Sequence, residues 1–578
     1  MKNIGFKSVL LALAGCLSTS CGDFLEIYPL DMVYEDNYWN EKADVDQIMN
    51  GVYVRMQQAD YMRRLFVWGE VRSDNINQET AEHVTSGWDE YKILREDINS
   101  KNSYTDWSSF YSVINTCNIV IQRAPEVAEK DPTYLHSEML ATQAEATALR
   151  ALSYFYLVRT FKDVPYNTEA ITTDDQPLDL PVTDGDQILK NCIADLKAVI
   201  GNAVKSYGMQ GGKEISYGRI TQDVINMLIA DMSLWIGNFD EAATYAQRVI
   251  DSKAAQFKES SRYNNYYVKM GEWPLIPDND NVMGQYTAFN DLFYTGGSKE
   301  SIFELDFASA EDAPENELTS HFFRRDYKID TNKGRWTEGV FKPLEALLNA
   351  QGSSGSSNIF ADANDTRVTS AFYVDDPTNP TEYYITKYVC VMAQMGLGAS
   401  SYTPTLRSTR SDGANWIIYR VSDAMLVKAE ALIYKIAESN GTVSGNDLAL
   451  ATEAFNLIKT IEDRSSQNLS SSLNINDYQT KSALLKLLYL ERRREFLFEG
   501  KRWFDLVRWS KLTGTTDPLV EMVTEKYTKG NSATAISNLK GNAMRMYWPY
   551  NYDERRANPN LQQNPAYPET SDSYDSTN

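Results

Sequence analysis

The stretch from Glu491 to Trp509, ERRREFLFEGKRWFDLVRW, is the most informative part of the sequence for the fold. Acidic and basic residues stand three and four positions apart in it, the spacing at which side chains meet on one helix face. Gly500 interrupts the helical pattern, and Trp503 and Trp509 follow on its apolar side. We therefore expect an ion-laced helix end, a break at Gly500, and tryptophans that pack inward. We favour this structural interpretation of the charged residues over the alternative that they are catalytic.

Paired helical stripes precede this stretch. Small and apolar residues recur at intervals of three and four within residues 139–161, 221–250 and 424–461. Short turns separate the stripes, and alanines on the packing faces let neighbouring helices approach closely. The pattern predicts a mainly α fold, a tetratricopeptide-like array of helix pairs at about 139–251 and 419–510. A non-repetitive helical bundle remains the alternative because the period is irregular.

The helical periodicity disappears between about residues 252 and 415. Gly, Pro, Asn and Asp punctuate this region, and Ser301–Phe307 and Glu382–Val389 have the character of short strands. Aromatic residues are crowded into it. We expect a large loop-rich insertion that contains short strands and carries a ligand region, followed by a C-terminal clasp at about 540–567.

Charge and motifs exclude several classes of protein. The chain has 578 residues, with 79 acidic against 56 basic side chains and a net charge of -23, which opposes binding to nucleic acid. No apolar run reaches the ~18 residues of a membrane-spanning helix. The sequence has three histidines and lacks the zincin, P-loop and nucleophile-elbow motifs, so neither an enzyme nor a cofactor is predicted. Asp278–Asn281 is interpreted as a solvated turn, and no metal site is predicted.

Five segments, spread in order along the chain, resemble one protein family. They are Cys21–Glu26 (CGDFLE), Trp68–Asn75 (WGEVRSDN), Ala148–Pro165, Glu491–Trp509, and Asn558–Pro565 (NPNLQQNP). The chain is similar in these segments to the SusD/RagB family, outer-membrane nutrient-uptake lipoproteins of Bacteroidetes. The resemblance implies one SusD-like domain over residues 21–578.

The N-terminal residues resemble a bacterial lipoprotein export signal. A short positive head is followed by the apolar stretch Val9–Leu17 and by small residues that lead to Cys21. Residues 1–20 are therefore interpreted as a signal peptide and Cys21 as the lipidated residue. Cys16 is the alternative, because Leu13–Cys16 also matches a lipobox, but it leaves a shorter apolar region. A lipid on either cysteine would hold the protein to a membrane without a spanning helix.

The resemblance also implies a function. It predicts a non-catalytic glycan-binding lipoprotein, anchored at the cell surface to the outer membrane, that captures polysaccharide or oligosaccharide. The implied partner is a SusC-like TonB-dependent transporter, to which the ligand is delivered. Two alternatives stay open: uptake of peptides or another nutrient on the same frame, and, less favoured, a surface glycosidase.

Sugar binding calls for aromatic rings against the apolar faces of the sugar and polar groups at its edges. The resemblance implies that the contacts come from the loop after the Asp74 motif and from loops of the irregular middle region. The predicted rings are Trp88, Tyr91, Trp273, Tyr286, Tyr327 and Trp336, and the predicted edge donors are Arg72, Asn75 and Asn77.

Overall fold

The structure is a computed structural model of the whole chain. It describes residues 38–568 apart from 81–83, 174, 211–212, 279–286, 308–315, 324–338, 345–346, 348–358, 361–364, 375–382, 393–404, 407–413, 438–440 and 528–531. The predicted signal peptide and both candidate lipidation sites, Cys16 and Cys21, lie outside the described residues.

Helices form most of the described chain. The N-terminal half contains α1 (Lys42–Met56), α2 (Ala59–Phe66), α3 (Asp89–Leu94), α4 (Ser108–Lys130), α5 (His136–Phe161), α6 (Gly185–Val199), α7 (Gln222–Trp235), α8 (Phe239–Glu259) and α9 (Ser261–Lys269). The C-terminal part contains α10 (Val421–Lys435), α11 (Asp447–Ser465), α12 (Lys481–Glu495), α13 (Arg502–Thr513), α14 (Asp517–Val523), α15 (Ser532–Leu539) and α16 (Tyr552–Ala557). Short π-helical turns lie at Val67–Val71, Asn290–Thr295 and Leu318–Phe322.

The long helices pack in one continuous series. Helix α1 contacts α4, and the contacts then run from α4 to α5, α6, α7 and α8, on to α10, and through α11 to α12. Helix α5 shows the cause, because Ala144, Ala148 and Ala151 are buried and let α4 and α6 approach. The predicted tetratricopeptide-like array is confirmed. Helix α8 extends to Glu259, past the anticipated boundary at 251, because Lys253 and Phe257 continue its buried face.

Short antiparallel strand pairs fill the space between the helices. Strand β1 (Ile76–Thr80) pairs with β7 (Phe341–Pro343), and β6 (Ser301–Leu305) pairs with β12 (Trp416–Arg420). The remaining pairs are β2 (Val164–Pro165) with β3 (Val182–Thr183), β4 (Met209–Gln210) with β5 (Lys213–Glu214), β8 (Phe372–Val374) with β9 (Tyr383–Ile385), and β10 (Cys390–Met392) with β11 (Thr405–Leu406). The irregular insertion is thus tied to the helices at several points.

The stretch from Glu491 to Trp509 lies at the centre of the molecule. Trp503 and Trp509 are buried, as predicted, and Gly500 separates α12 from α13 with a φ of +71°. Some of its charges pair at helical spacing, as expected, in the contacts of Glu491 with Arg494 and of Asp505 with Arg508. Most of their partners come from other segments, because the two helices are enclosed by the rest of the protein.

Glu495 shows how this buried ionic framework is built. Its carboxylate contacts Arg367, Arg420 and Arg464, which reach it from three distant parts of the chain. Burial alone would raise the pKa of Glu495, but these three guanidinium groups hold it well below its ordinary value. The charge is therefore retained in the core and links the irregular insertion to α11 and α12.

Candidate functional site

Arg72 belongs to the framework and does not reach solvent. Its guanidinium makes two 2.8 Å hydrogen bonds to Glu96 and donates to the backbone oxygens of Arg545 and Met546. It also stacks 4.1 Å from the ring of Trp503 and is 0% exposed. The prediction that Arg72 serves as a sugar-edge donor is therefore withdrawn, because its hydrogen-bonding groups are committed inside the protein.

Asn75 and Asn77 are also enclosed. The Asn75 amide donates to Glu70 at 2.8 Å, and its oxygen accepts from Arg493 at 2.9 Å. Asn77 lies in β1 and is 5% exposed. These placements remove both residues from the solvent-facing edge donors that were predicted.

Close backbone contact explains why this strip is buried. A Cβ atom on Gly69, in the π-helical turn, would lie 1.8 Å from the backbone oxygen of Gly500. Only glycine allows the segment that enters Arg72–Asn77 to pass so near the break between α12 and α13. The strip is thereby held beneath the C-terminal helices.

The segment Trp88–Arg95, which follows the strip, is fixed to the protein on one side and exposed on the other. Asp89 accepts a 2.8 Å hydrogen bond from the backbone nitrogen of Ser103 and one of 3.3 Å from Lys92. Ile93 and Leu94 of α3 are fully buried. These contacts fix the short helix α3, and they fix the position of Trp88, which immediately precedes it.

Trp88 is the predicted ring that the structure places most clearly at the surface. It is 36% exposed and follows the exposed residues Thr85, Ser86 and Gly87. Tyr91, one turn into α3, is half-buried, and the guanidinium of Arg95 lies 4.3 Å from its ring centroid. One face of Tyr91 is thus covered by Arg95, which is itself exposed and adds hydrogen-bond donors beside that ring.

This segment meets the irregular insertion. The Nε2 atom of His321 lies 3.7 Å from Glu90 Oε1, within the range of an ion pair when the imidazole is protonated. The backbone nitrogen of Val340 donates to the oxygen of His321, and the strand that follows, β7, pairs with β1. Two parts of the chain about 230 residues apart therefore converge here.

Glu90 is the electrostatic centre of the junction. Tyr104 donates to it at 2.7 Å, and Arg63 and Glu317 form an ion pair of 2.9 Å nearby. Burial raises the pKa of Glu90, but the nearby His321 and the hydrogen bond from Tyr104 outweigh it, so the pKa lies below its ordinary value. The carboxylate therefore stays charged and orders the side chains below Trp88.

Trp273 lies in a separate depression. It is half-buried against the first half of α11, and the depression has a volume of about 710 Å³. Leu448 is 52% exposed at its edge, and Thr452 and Asn456 add polar groups. A ring beside hydroxyl and amide groups has the composition of a sugar platform, but the residues lining this depression do not include those around Trp88.

Three predicted rings, Tyr286, Tyr327 and Trp336, lie outside the described residues. Sequence reasoning missed Arg95, which stacks on the predicted ring of Tyr91, and His321, which contacts Glu90. The aromatic stacking of Arg95 on Tyr91 had a local signal, since the two residues stand four apart in a helical segment. The approach of His321 to Glu90 had none, because it depends on a long-range strand pairing.

Binding is the chemistry that these groups support. No cluster of three or more His, Cys, Asp or Glu that could hold a metal occurs within the described parts of residues 38–568. Burial raises the pKa of Glu70, Glu300 and Glu491 to about 7, a value suited to proton transfer. All three are 0% exposed, so a polymer in solvent does not reach them.

The fold is therefore that of a tetratricopeptide-like helical-array protein with a loop-rich insertion. The family model described as the SusD family matches residues 242–567, more than half of the chain. A second one, described as "Starch-binding associating with outer membrane", matches residues 23–201. The chain belongs to the SusD family. No helix among the described residues is long and apolar enough to cross a membrane.

Individual proteins extend this likeness over nearly the whole chain. SusD-like protein P38 of Formosa agariphila is 25% identical over 98% of this chain and 99% of its own length. Surface glycan-binding protein A from Bacteroides uniformis superposes with a TM-score of 0.62 at 20% identity, covering 91% of this chain and all of its own. A laminarin-binding SusD-like protein superposes with a TM-score of 0.60 at 19% identity, covering 92% and 100%.

Proposed function

We propose that the protein is a non-catalytic glycan-binding lipoprotein of the cell surface. It is anchored to the outer membrane through Cys21, or alternatively Cys16, and it captures polysaccharide or oligosaccharide. It then delivers the ligand to a SusC-like TonB-dependent transporter. Members of the family are known as binding proteins, and two similar structures carry glycan-binding or laminarin-binding descriptions.

The exposed ring of Trp88 is the observation that carries the proposal. It stands on a helix fixed from below by Asp89, Ile93 and Leu94, so a ligand meets a preorganised surface. The residues that follow Trp88 in the chain add charged and polar groups, since Glu90 contacts His321 and Tyr91 stacks against Arg95. An exposed ring with donors at its edge matches the alternating apolar and hydroxyl surfaces of a sugar.

Tyr91 and Trp273 remain in the proposed ligand set, with different roles. Tyr91 offers its ring on the side away from Arg95 and contributes to the same surface as Trp88. Trp273, in its own depression, extends the glycan site by binding a more distant part of a longer polysaccharide. Tyr286, Tyr327 and Trp336 stay as predictions from the resemblance.

Burial of the candidate acid-base groups supports binding without hydrolysis. Glycosidases need two carboxyl groups that flank the bond to be cleaved. Glu70, Glu300 and Glu491 instead lie in the interior, with hydrogen bonds or ion pairs to Asn75, Arg464 and Arg367 respectively. They are structural members of the core.

Affinity electrophoresis against a panel of polysaccharides tests the proposal. Wild type should be retarded by at least one polymer, Trp88→Ala should lose most of that retardation, and Leu178→Ala, which removes an exposed side chain elsewhere, should behave as wild type. A reducing-end assay on the same polymer should show no new ends. Retardation unchanged in Trp88→Ala would contradict the proposed surface, and new reducing ends would contradict a binding role.

Anchoring and delivery are tested in cells. Lipid labelling should be lost in Cys21→Ser and kept in Cys16→Ser, and the reverse result selects Cys16. Native purification from the outer membrane should recover a TonB-dependent barrel with the protein. A peptide-binding signal without binding to any glycan would instead favour the alternative nutrient.

A further inference from the structure

A large polar cavity lies where the helical array meets the irregular insertion. Its volume is about 910 Å³, within the range of about 300–1,000 Å³ typical of ligand pockets. The first residues of α7 and the last three turns of α8 form one wall, and the turn before β6 forms another. None of the residues around Trp88 or Trp273 lines it.

The turn before β6, which contains Gly297, has a backbone conformation that lets Tyr217 line the cavity. Gly297 has a φ of +64°, and a Cβ atom there would lie 2.4 Å from the ring of Tyr217. Glycine therefore lets Tyr217 pack directly over the turn, with its ring at the cavity wall. Ser301 closes the turn with a 3.0 Å backbone hydrogen bond to Ser298.

The charge of the lining is opposite to that of the whole protein. The chain carries a net charge of -23, yet this cavity has a formal excess of two positive charges. One of its carboxylates, Asp223, is engaged by Ser252 at 3.0 Å and by Gln256 at 2.9 Å. The cations in the lining are Lys205, Arg248, Lys253 and Lys299, and the anions are Asp223 and Glu259.

The remaining lining is rich in hydroxyl and amide groups. Asn226 is 9% exposed, and no hydrogen-bond donor of the described residues reaches its side-chain oxygen. Buried polar atoms are nearly always paired, so this oxygen calls for a donor from outside the described chain. A sugar hydroxyl supplies such a donor, and a carboxylate or sulfate on the same ligand pairs with the cations.

We propose that this cavity is a second ligand site, which binds an acidic saccharide. Arg248 and Lys299 attract the carboxylate or sulfate, and Asn226 and Tyr217 hold the hydroxyl-bearing ring. The site selects charged over neutral saccharides, because the local positive potential opposes the repulsion from the acidic protein as a whole. It goes beyond the glycan surface around Trp88 and does not require that surface to bind the same molecule.

Calorimetric titration of the purified protein with three probes tests the site. The probes are tetragalacturonate, which carries carboxylates, a sulfated galactotetraose, and neutral galactotetraose. At least one acidic probe should bind at least tenfold more tightly than the neutral one. The double variant Arg248→Ala/Lys299→Ala should weaken that binding at least tenfold, while Lys190→Ala/Lys540→Ala, which removes two exposed cations elsewhere, should leave it unchanged.

Trp88→Ala separates this site from the proposed glycan surface. Acidic-probe binding that survives Trp88→Ala but is lost in Arg248→Ala/Lys299→Ala supports the second site, and the probe that binds identifies carboxylate or sulfate as the recognised group. Binding lost only in Trp88→Ala would overturn the second site and leave the proposed function intact. Equal affinity for neutral galactotetraose, or no binding of either acidic probe at millimolar concentration, would also overturn it.

Discussion

The strip Arg72–Asn77 and the segment Trp88–Arg95 are close in sequence but differ in almost every physical respect. Arg72, Asn75 and Asn77 are no more than 5% exposed, whereas Trp88 is 36% exposed. The polar side chains of the strip Arg72–Asn77 form hydrogen bonds to distant helices. The segment Trp88–Arg95 contacts the core only through its buried side. The family motif that contains Arg72–Asn77 therefore stabilises the fold. The less distinctive segment Trp88–Arg95 presents the surface available to a ligand.

The strip serves the ionic framework through Asp74. Arg502 makes hydrogen bonds of 2.8 and 2.9 Å to its carboxylate, and Arg493 forms an ion pair with it at 3.2 Å. Burial would raise the pKa of Asp74, but the two guanidinium groups lower it far below its ordinary value. Such buried pairs fix which segments meet, and breaking one leaves a charge without compensation.

The largest effect is expected from Glu495→Gln, which breaks the framework at its centre. It leaves Arg367, Arg420 and Arg464 without their shared carboxylate, so the free energy of unfolding should fall by about 3–5 kcal/mol. Urea denaturation measures the change. Glu521→Gln removes the partner of Lys486 in an exposed pair and should have little effect. Equal effects of the two variants would contradict the role given to the buried framework.

A smaller effect is expected from Gly69→Ala. Its methyl group would meet the backbone oxygen of Gly500, and overpacking of this kind costs about 1–3 kcal/mol. Gly51→Ala, in α1, has no neighbour within 4 Å and should stabilise the protein by about 0.5–1 kcal/mol. The melting temperatures of Gly69→Ala and Gly51→Ala, each compared with that of wild type, test the two predictions. A stabilised Gly69→Ala would show that the strip does not pass as close to α13 as described.

The unfolding free energy should depend on pH through Glu70, a buried carboxyl group that accepts a hydrogen bond from Asn75 of the strip. Burial raises the pKa of Glu70 from 4.5 to about 7, so the folded protein keeps a proton that the unfolded chain releases. This stabilisation is complete below about pH 4.5 and is lost as the pH rises through 7. Relative to Glu70→Gln, wild type should therefore lose about 1–3 kcal/mol of unfolding free energy between pH 5 and pH 8.

Urea titrations of wild type and Glu70→Gln at several pH values provide the measurement. A difference between the two proteins that stays constant with pH would mean that Glu70 titrates near its ordinary value. Glu169→Gln, at an exposed position outside the framework, serves as the matched control and should show no such trend.

Local patterns in the sequence predicted the helices well. In α5, Ala144, Ala148 and Ala151 repeat at helical intervals and are buried against neighbouring helices. The same reasoning placed Trp503 and Trp509 inside. Packing of this kind is set by which face is apolar, and that property is visible in a single segment.

The partners of the polar residues could not be predicted in this way. Arg72 and Asn75 are predicted as sugar-edge donors from the resemblance, which implies glycan contacts near the Asp74 motif. Their partners, Glu96 and Arg493, are brought in by the fold. Spacing on one helix identifies neighbours three or four residues away, but it contains no information about a carboxylate several hundred residues distant.

The surroundings of Trp88 could be predicted only in part for the same reason. Trp88 stands in the polar setting of Thr85, Ser86 and Gly87, and this local signal pointed to an exposed ring. His321 reaches the same place through the pairing of β1 with β7, which no local pattern shows. The cationic cavity between α7, α8 and β6 was missed entirely, because its charges come from four separate segments.

The smallest free-energy change, and the most direct test, compares Trp88→Ala with Asn75→Ala. Calorimetric titration with the polysaccharide that retards wild type should show that Trp88→Ala lowers affinity at least tenfold, or about 1.4 kcal/mol, without changing the melting temperature. Asn75→Ala should lower the melting temperature, because it removes one buried hydrogen bond to Glu70 and one from Arg493, but should bind with wild-type affinity when folded. Wild-type affinity in Trp88→Ala together with lost affinity in folded Asn75→Ala would contradict the account.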